Sequence, residues 1–512
     1  MRARFLLTAI ASAATICGQS IAQAGPVVTT VAGKVQGLTA EGVNAFLGIS
    51  YGADTGGANR FQPPKPAAPW QGLRPATAMG SRCPQSTGTV PLGLIRFSDA
   101  SVSEDCLNLN VWTPKVDRAK RPVMMWLHGG GFGFGSANDP WYDGASLARH
   151  EDVVVVSLNH RLNGFGYLDL GTGVADVGQL DIVQALRWVQ ANIARFGGDP
   201  ANVTIFGQSG GGAKIAVLLA MPTAKGLFQK AIIESGAMLH VDAPQAALAQ
   251  RDKVLAAAGL KPDEMDKLRS LPMQELIAAF DKAGVMGFKP WVDGTVLPRQ
   301  PFTPDAPTVS RDVALLIGTS RDEATDIAIM SPLWPKLTED QMRMMIAPLV
   351  GPQRVDRAIA LYRAREPGET PPQLYASVLT DYGFTHNTAV LATRKATSGG
   401  APVYVYRTDW KSPVLDGVLR APHGVELPFL FDTVDKAPGL VGQAAQPGMV
   451  AQFQRSFAAF ARSGKPGWPA YSAANRVVHL HDVKPGAVTD PDADLRRFWD
   501  EASGDRSEPI VP

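Results

Sequence analysis

The chain has 512 residues, with 49 lysines and arginines against 47 aspartates and glutamates, a formal net charge of +2. Removing the first 24 residues would take away Arg2 and Arg4 and no acid, leaving 47 of each sign, a balance that gives no indication of bulk attraction to nucleic acid or to a membrane. With 45% hydrophobic residues and no long Ser/Pro-rich, single-charge or repeated tract, the composition predicts a single large domain over 25–512.

At the N-terminus, Arg2 and Arg4 precede an apolar-leaning stretch from Phe5 to Cys17, followed by the small-residue pattern Ala22-Gln23-Ala24. This is the layout of a secretory signal peptide over 1–24, with Gly25 as the first mature residue. The apolar stretch is too short to span a bilayer. A lipid anchor on Cys17 is the rival reading, and the bulky Ile16 before it argues against that. Export to the periplasm or beyond is expected, with no membrane insertion after cleavage. Cleavage would leave Cys83 and Cys106, an even pair in an oxidising compartment, either bridged or present as two buried thiols.

Further along, the apolar run Val123 to Leu127 reads as a buried strand feeding a glycine loop, His128-Gly129-Gly130-Gly131-Phe132. Such a loop presents bare backbone N–H groups, here of Gly130 and Gly131. Val153 to Val156 is a second strand, and Asp181 to Ala194 a helix, since Ile182, Ala185, Leu186 and Val189 recur at three-to-four-residue spacing. Asn202 to Phe206 is again strand-like. It runs into Gly207-Gln208-Ser209-Gly210-Gly211 and then a helix-compatible run, Ala213 to Met221.

A chain this rich in glycine should contain roughly 0.3 G-x-S-x-G matches by chance, so context must decide. Here strand, turn and helix follow in order, as a nucleophile elbow requires: the serine projects from a sharp turn and the next helix aims its N-terminal N–H groups at a developing oxyanion. The expected oxyanion donors are the N–H groups of Gly130, Gly131 and Gly210. A phosphate-binding loop is the alternative for the earlier glycines, but no G-x-x-x-x-G-K-[ST] follows. Asn202-Val203-Thr204 has the form of a glycosylation sequon yet begins a buried strand, so it reads as structural.

Ala231 to Ile233, Val313 to Ile317 and Val403 to Tyr406 complete the strand series, and their alternation with helices indicates an α/β fold. A serine nucleophile needs a base and an orienting acid, in the chain order serine, acid, histidine for this architecture. After Ser209 the histidines are His240, His386, His423, His479 and His481. His423 lies in a loop after the Val403 strand; His479 and His481 flank an expected edge strand and read as structural. Asp322 and Glu323 both follow the Val313 strand, at the carboxyl edge where such sheets carry ligands.

These segments, together with Ser103-Glu104-Asp105-Cys106-Leu107-Asn108-Leu109-Asn110-Val111, Phe196-Gly197-Gly198-Asp199-Pro200 and Gly467-Trp468-Pro469-Ala470-Tyr471, resemble the type-B carboxylesterase and cholinesterase-like family of α/β-hydrolases nearly end to end. The resemblance implies an open, mostly parallel sheet with helices on both faces and long insertions around the active-site entrance. It selects His423 as base and Glu323 over Asp322 as acid, implies a Cys83–Cys106 disulfide, and makes Ser235 a supporting serine near the triad. An ordinary strand-end turn is the plainer reading of Ser235.

Three departures stand out. Ala324 replaces a glycine after the acid, and Gln208 and Gly210 replace the usual glutamate and alanine beside the nucleophile. Between Cys83 and Cys106 there is no tryptophan, where cholinesterases resemble one another in holding a quaternary ammonium by cation–π attraction. The expected activity is hydrolysis of small neutral carboxylic esters, with no cofactor and no metal, since no H-E-x-x-H or similar ligand spacing occurs. Amide, lactone or polyester hydrolysis on the same machinery, or a non-catalytic binding domain, are the alternatives. Oligomeric state is not legible.

Overall fold

The computed structural model describes residues 23–86, 97–171, 174–443 and 446–503. Most of the expected signal peptide, Cys17 included, lies outside the described residues. Gln23 and Ala24 are described: they begin the first strand and pair with Thr39 and Leu38, so the expected cleavage point falls inside that strand.

Thirteen strands among the described residues form one sheet. They are β1 (Gln23–Thr29), β2 (Lys34–Ala40), β3 (Val43–Ser50), β4 (Leu73–Pro75), β5 (Asn108–Thr113), β6 (Arg121–Leu127), β7 (Val154–Leu158), β8 (Gly198–Gln208), β9 (Lys230–Glu234), β10 (Ala314–Ser320), β11 (Val403–Thr408), β12 (Val477–His481) and β13 (Gly486–Thr489). Their spatial order is β1-β2-β3-β5-β7-β6-β8-β9-β10-β11-β12-β13, with β4 beside β2. From β7 to β12 every neighbouring pair is parallel, and antiparallel strands close both ends. This is the expected α/β-hydrolase sheet.

The central strands read as unbroken apolar runs because both of their faces are buried. Along β6, Val123, Met125 and Leu127 enter one core, while Met124 and Trp126 enter the other. β10 divides in the same way, Leu315 and Ile317 against Leu316. The first core is closed by helices Val177–Asn192 and Gly210–Leu218, through Ile182, Leu186, Val189, Ile215 and Leu218. Helix Pro447–Ser463 closes the second with Phe453, Phe457 and Phe460. A third, smaller core joins helices Glu339–Val350, Val355–Arg365, Pro371–Thr380 and Ala493–Ser503.

Two expectations are corrected. The helix expected over 181–194 begins a turn earlier, at Val177, whose side chain is buried. His479 and His481 do not flank an edge strand: both lie within β12, and β13 covers that strand's outer edge. His481 is enclosed, and burial pulls its imidazole down to about 3, so it stays neutral.

Cys83 and Cys106 are bonded, with Cα atoms 5.0 Å apart, both within the first core. Closing a loop of this size typically contributes about 2–4 kcal/mol by restricting the unfolded chain. Intact-mass measurement of the purified protein should therefore show two hydrogens gained on reduction, and the reduced protein should melt at lower temperature. Two free thiols before reduction would contradict the bridge.

Candidate active site

β8 ends at Gln208, and the next residue turns the chain sharply into helix Gly210–Leu218: Ser209 has φ +56° and ψ −125°, a conformation an L-residue holds only when its surroundings impose it. They do so closely. The Ser209 N–H donates to Glu234 O at 2.8 Å, and Cβ atoms at 207 and 211 would stand 2.7 and 2.0 Å from Leu127 O. Only glycine lets the turn press against the end of β6 in this way.

The loop after β6 lies over this turn. A Cβ at 210 would meet Gly131 O at 2.2 Å, so the glycine standing in place of the family's usual alanine lets the loop close down on the nucleophile turn. Peptide planarity then orients the donors. Gly129 O is held by the ring Nδ1 of His128 at 2.8 Å, which fixes the N–H of Gly130 on the opposite side of that peptide. Gly130 O accepts from the N–H groups of Gly133 and Phe134 and likewise fixes the N–H of Gly131. Among the described residues neither of these N–H groups is used in a hydrogen bond. The N–H of Gly210 opens a helix and has no intrahelical acceptor.

His423 lines the same cavity as Ser209. Its Nδ1 is 2.6 Å from Glu323 Oε2. The other carboxylate oxygen, Oε1, accepts from Ser235 Oγ at 2.5 Å and from the Ser320 N–H at 2.7 Å. Glu323 is completely buried, so these donors and the imidazole replace its hydration. Ser235, just after β9, is thus placed in direct contact with the Glu323 carboxylate. Asp322 points elsewhere, accepting from the Ala421 N–H at 3.3 Å beside the Arg420 guanidinium. Ala324 has φ −84°, so the glycine it replaces is not required here.

His423 Nε2 is 3.0 Å from Gln208 Nε2, and among the described residues no hydrogen bond joins it to Ser209 Oγ. With Nδ1–H given to Glu323, a neutral ring accepts at Nε2 from the Gln208 amide. By turning over, the same amide can offer its oxygen to the imidazolium. Burial pulls His423 down, but the charges of Glu323, Asp326 and Glu426 and the bond to Glu323 outweigh it and leave it up at about 9. The ring must be neutral to act as a base, so kcat/KM should rise with pH as this proton leaves. Gln208→Glu should move that ascending limb about one unit higher, because a carboxylate beside Nε2 stabilises the imidazolium. An unmoved limb in the pH–rate profile of the variant would contradict the contact.

Burial hides other ionisable groups that the sequence did not single out. Glu234 and Glu426 are enclosed near the triad; burial first, then the charge of Glu426 on the former and of Glu323 on the latter, push both upward. Asp326 lines the cavity, raised by burial to about 6 and opposed by the charge of His423.

The cavity is about 570 Å³ and takes in Ser209, His423, Gly130, Gly131, Gly210 and Ser235. Met286, Ile327, Met330 and Phe384 give it an apolar wall, with Asp326, Asp139 and Lys289 as its charged residues. Burial raises Asp139 to about 7. Among the described residues no group of three or more His, Cys, Asp or Glu side chains is arranged to hold a metal ion, and no helix is long and apolar enough to cross a membrane.

Residues 24–487 match the sequence model of the Carboxylesterase family. The para-nitrobenzyl esterase of Bacillus subtilis (strain 168) is 36% identical over 494 residues, covering 92% of this chain and 98% of that protein. The phenmedipham hydrolase of Pseudarthrobacter oxydans is 34% identical, covering 88% and 94%. A solved carboxylesterase of Geobacillus stearothermophilus superposes with a TM-score of 0.82 at 37% identity, covering 92% of this chain and 99% of its own. A likeness that covers 92% of this chain leaves one conclusion: the chain belongs to the carboxylesterase family and is a carboxylic ester hydrolase.

Proposed function

We propose that the protein is an exported serine carboxylesterase that cleaves small neutral esters through an acyl-enzyme intermediate. The observation that carries this reading is the Glu323–His423 hydrogen bond of 2.6 Å, at the wall of the cavity into which Ser209 projects from its strained turn. Ser209 Oγ attacks the ester carbonyl carbon while His423 Nε2 takes its proton; Gln208 yields Nε2 to the serine for this step. The carbonyl oxygen becomes an oxyanion and is bound by the N–H groups of Gly130, Gly131 and Gly210. Collapse breaks the carbon–oxygen bond to the leaving group, which departs as an alcohol with the proton from His423. Water then repeats the sequence on the acyl-serine and releases the carboxylic acid.

Neutral substrates are favoured by three features: an uncharged Gln208, an apolar wall of Met286, Ile327, Met330 and Phe384, and a tryptophan-free Cys83 to Cys106 segment. Burial raises Asp326 to about 6, so its carboxylate is partly neutralised around that pH. The relative named for para-nitrobenzyl esters supports an uncharged aromatic substrate. On a panel of purified substrates, kcat/KM for a neutral aryl or alkyl ester should exceed that for the choline ester of the same acyl group by roughly tenfold or more, about 1.4 kcal/mol, the scale of a lost cation–π contact and a missing carboxylate. Equal or better choline-ester turnover would contradict the neutral-ester assignment. Faster turnover of the matched amides would move the reading to an amidase. Export rests on the N-terminal pattern, and N-terminal sequencing of secreted protein should begin at Gly25.

A further inference from the structure

Helix Gly210–Leu218 carries a lysine in an otherwise apolar sequence. Lys214 is wholly inaccessible to solvent. Among the described residues its ammonium makes one hydrogen bond, to His128 O at 3.0 Å, lies 5.8 Å from the centre of the Phe132 ring, and has no carboxylate partner. A lysine is rarely enclosed without a counter-charge, because taking the ammonium out of water costs several kcal/mol that a single carbonyl does not return. The enclosure therefore calls for a reason beyond packing.

Lys214 lies four residues after Gly210, hence on the same helix face and one turn behind it. Gly210 touches Gly131, and Lys214 reaches the start of the same loop at His128. Its Nζ holds the His128 carbonyl, the first of three successive loop carbonyls turned away from the oxyanion site; the other two are Gly129 O, on the His128 ring, and Gly130 O, on backbone N–H groups. The titratable groups packed against this corner are two imidazoles and the phenol of Tyr142, which bonds to the Gly129 backbone and which burial raises and so keeps neutral. His128 comes from the loop after β6 and His160 from the segment after β7, stacked with ring centres 4.9 Å apart. Burial and the charge of Lys214 hold both below their usual range, hence neutral. The cluster thus holds a single potential positive charge and no negative one.

We infer that Lys214 is a positioning residue for the oxyanion hole, whose ammonium finds its counter-charge only when the tetrahedral oxyanion forms on Ser209. The inference rests on the Ser209 reading above. A fixed positive charge behind the N–H donors, in a site that excludes water, favours the anionic transition state over the neutral bound ester, and so acts on kcat more than on KM. Burial pulls the ammonium down to about 7, so the charge is present below that pH and is lost above it.

Two variants separate charge from strut. Lys214→Met removes both the charge and the hydrogen bond to His128; Lys214→Gln removes the charge and keeps a donor. Both should lower kcat by roughly ten- to hundredfold at pH 6.5 with KM within about threefold, a smaller loss than deletion of a direct oxyanion donor brings. The wild-type to Lys214→Gln ratio of kcat should fall as pH rises, because only the wild type has an ammonium to discharge; the His423 limb is common to both and cancels. Affinity for an aryl boronic acid, which forms a tetrahedral anion on the serine, should fall in parallel with kcat.

Thermal melts establish that each variant is folded, and Lys214→Gln carries the test if Lys214→Met is not. Wild-type kcat in Lys214→Gln, or a ratio that does not change with pH, would overturn the inference and leave Lys214 a structural strut. Activity retained by Ser209→Ala would instead bring down the site assignment beneath it.

Discussion

Ser209→Ala is expected to lower kcat by about 10⁴- to 10⁶-fold, the range seen when a serine nucleophile is removed and only binding and the oxyanion donors remain. Structure should survive the change. Among the described residues Ser209 Oγ takes part in no hydrogen bond, so its loss leaves no buried partner unsatisfied. The strained backbone at φ +56° carries a Cβ in either residue, so the strain is unchanged. The melting temperature should therefore stay near that of the wild type, and the loss should appear in the acylation rate. A variant that kept more than a few per cent of wild-type activity would remove Ser209 from the mechanism.

Glu323→Gln should follow in severity, at about 10³- to 10⁴-fold in kcat, for a reason visible in its contacts. Oε1 accepts from Ser235 and from the Ser320 N–H, while Oε2 accepts from His423 Nδ1. A glutamine has one acceptor oxygen, and two donors converge where Oε1 sits. The amide nitrogen then faces His423, forces Nδ1 to accept, and puts the ring proton on Nε2, where it cannot receive the serine proton. Without the carboxylate charge that holds His423 up at about 9, the ascending limb of the residual activity should also move to lower pH. Asp322→Asn serves as the contrast. Asp322 accepts from the Ala421 N–H beside Arg420, so that change should cost about 1–3 kcal/mol of stability while kcat falls far less than in Glu323→Gln. A reversed order between the two variants would place the orienting acid one residue earlier.

The sheet was legible because its central strands are buried on both faces, which leaves continuous runs such as Val123 to Leu127 and Val203 to Phe206. In the candidate triad, Ser209 was legible from its strand, turn and helix context, whereas His423 and Glu323 were selected among rival residues only by the family resemblance. What escaped the sequence reading depends on packing between distant segments. Lys214 sits in a run that otherwise reads as plain core helix; its lone charge was the available signal, but its link to His128 needs the fold. The hold of Gln208 on His423 Nε2 joins positions 215 residues apart, and the sequence shows only that Gln208 is uncharged. Glu234 and Glu426 look like ordinary strand-end and loop acids until the sheet and the His423 loop enclose them. The third core assembles helices from 339–380 with 493–503, and local periodicity does not say which amphipathic faces meet. β13 is short and half-exposed, which is why β12 resembled an edge.

The central claim is that Ser209 is the residue to which the acyl group is transferred. A fluorophosphonate ester carries a tetrahedral phosphorus that resembles the transition state and bonds irreversibly to an activated serine, so peptide mass mapping after labelling reads the nucleophile directly. One adduct per chain is predicted, on the peptide containing Ser209, with esterase activity lost in proportion to labelling and no adduct in Ser209→Ala or in the unfolded protein. An adduct on any other serine that tracked the loss of activity, or full inhibition with Ser209 unmodified, would contradict it.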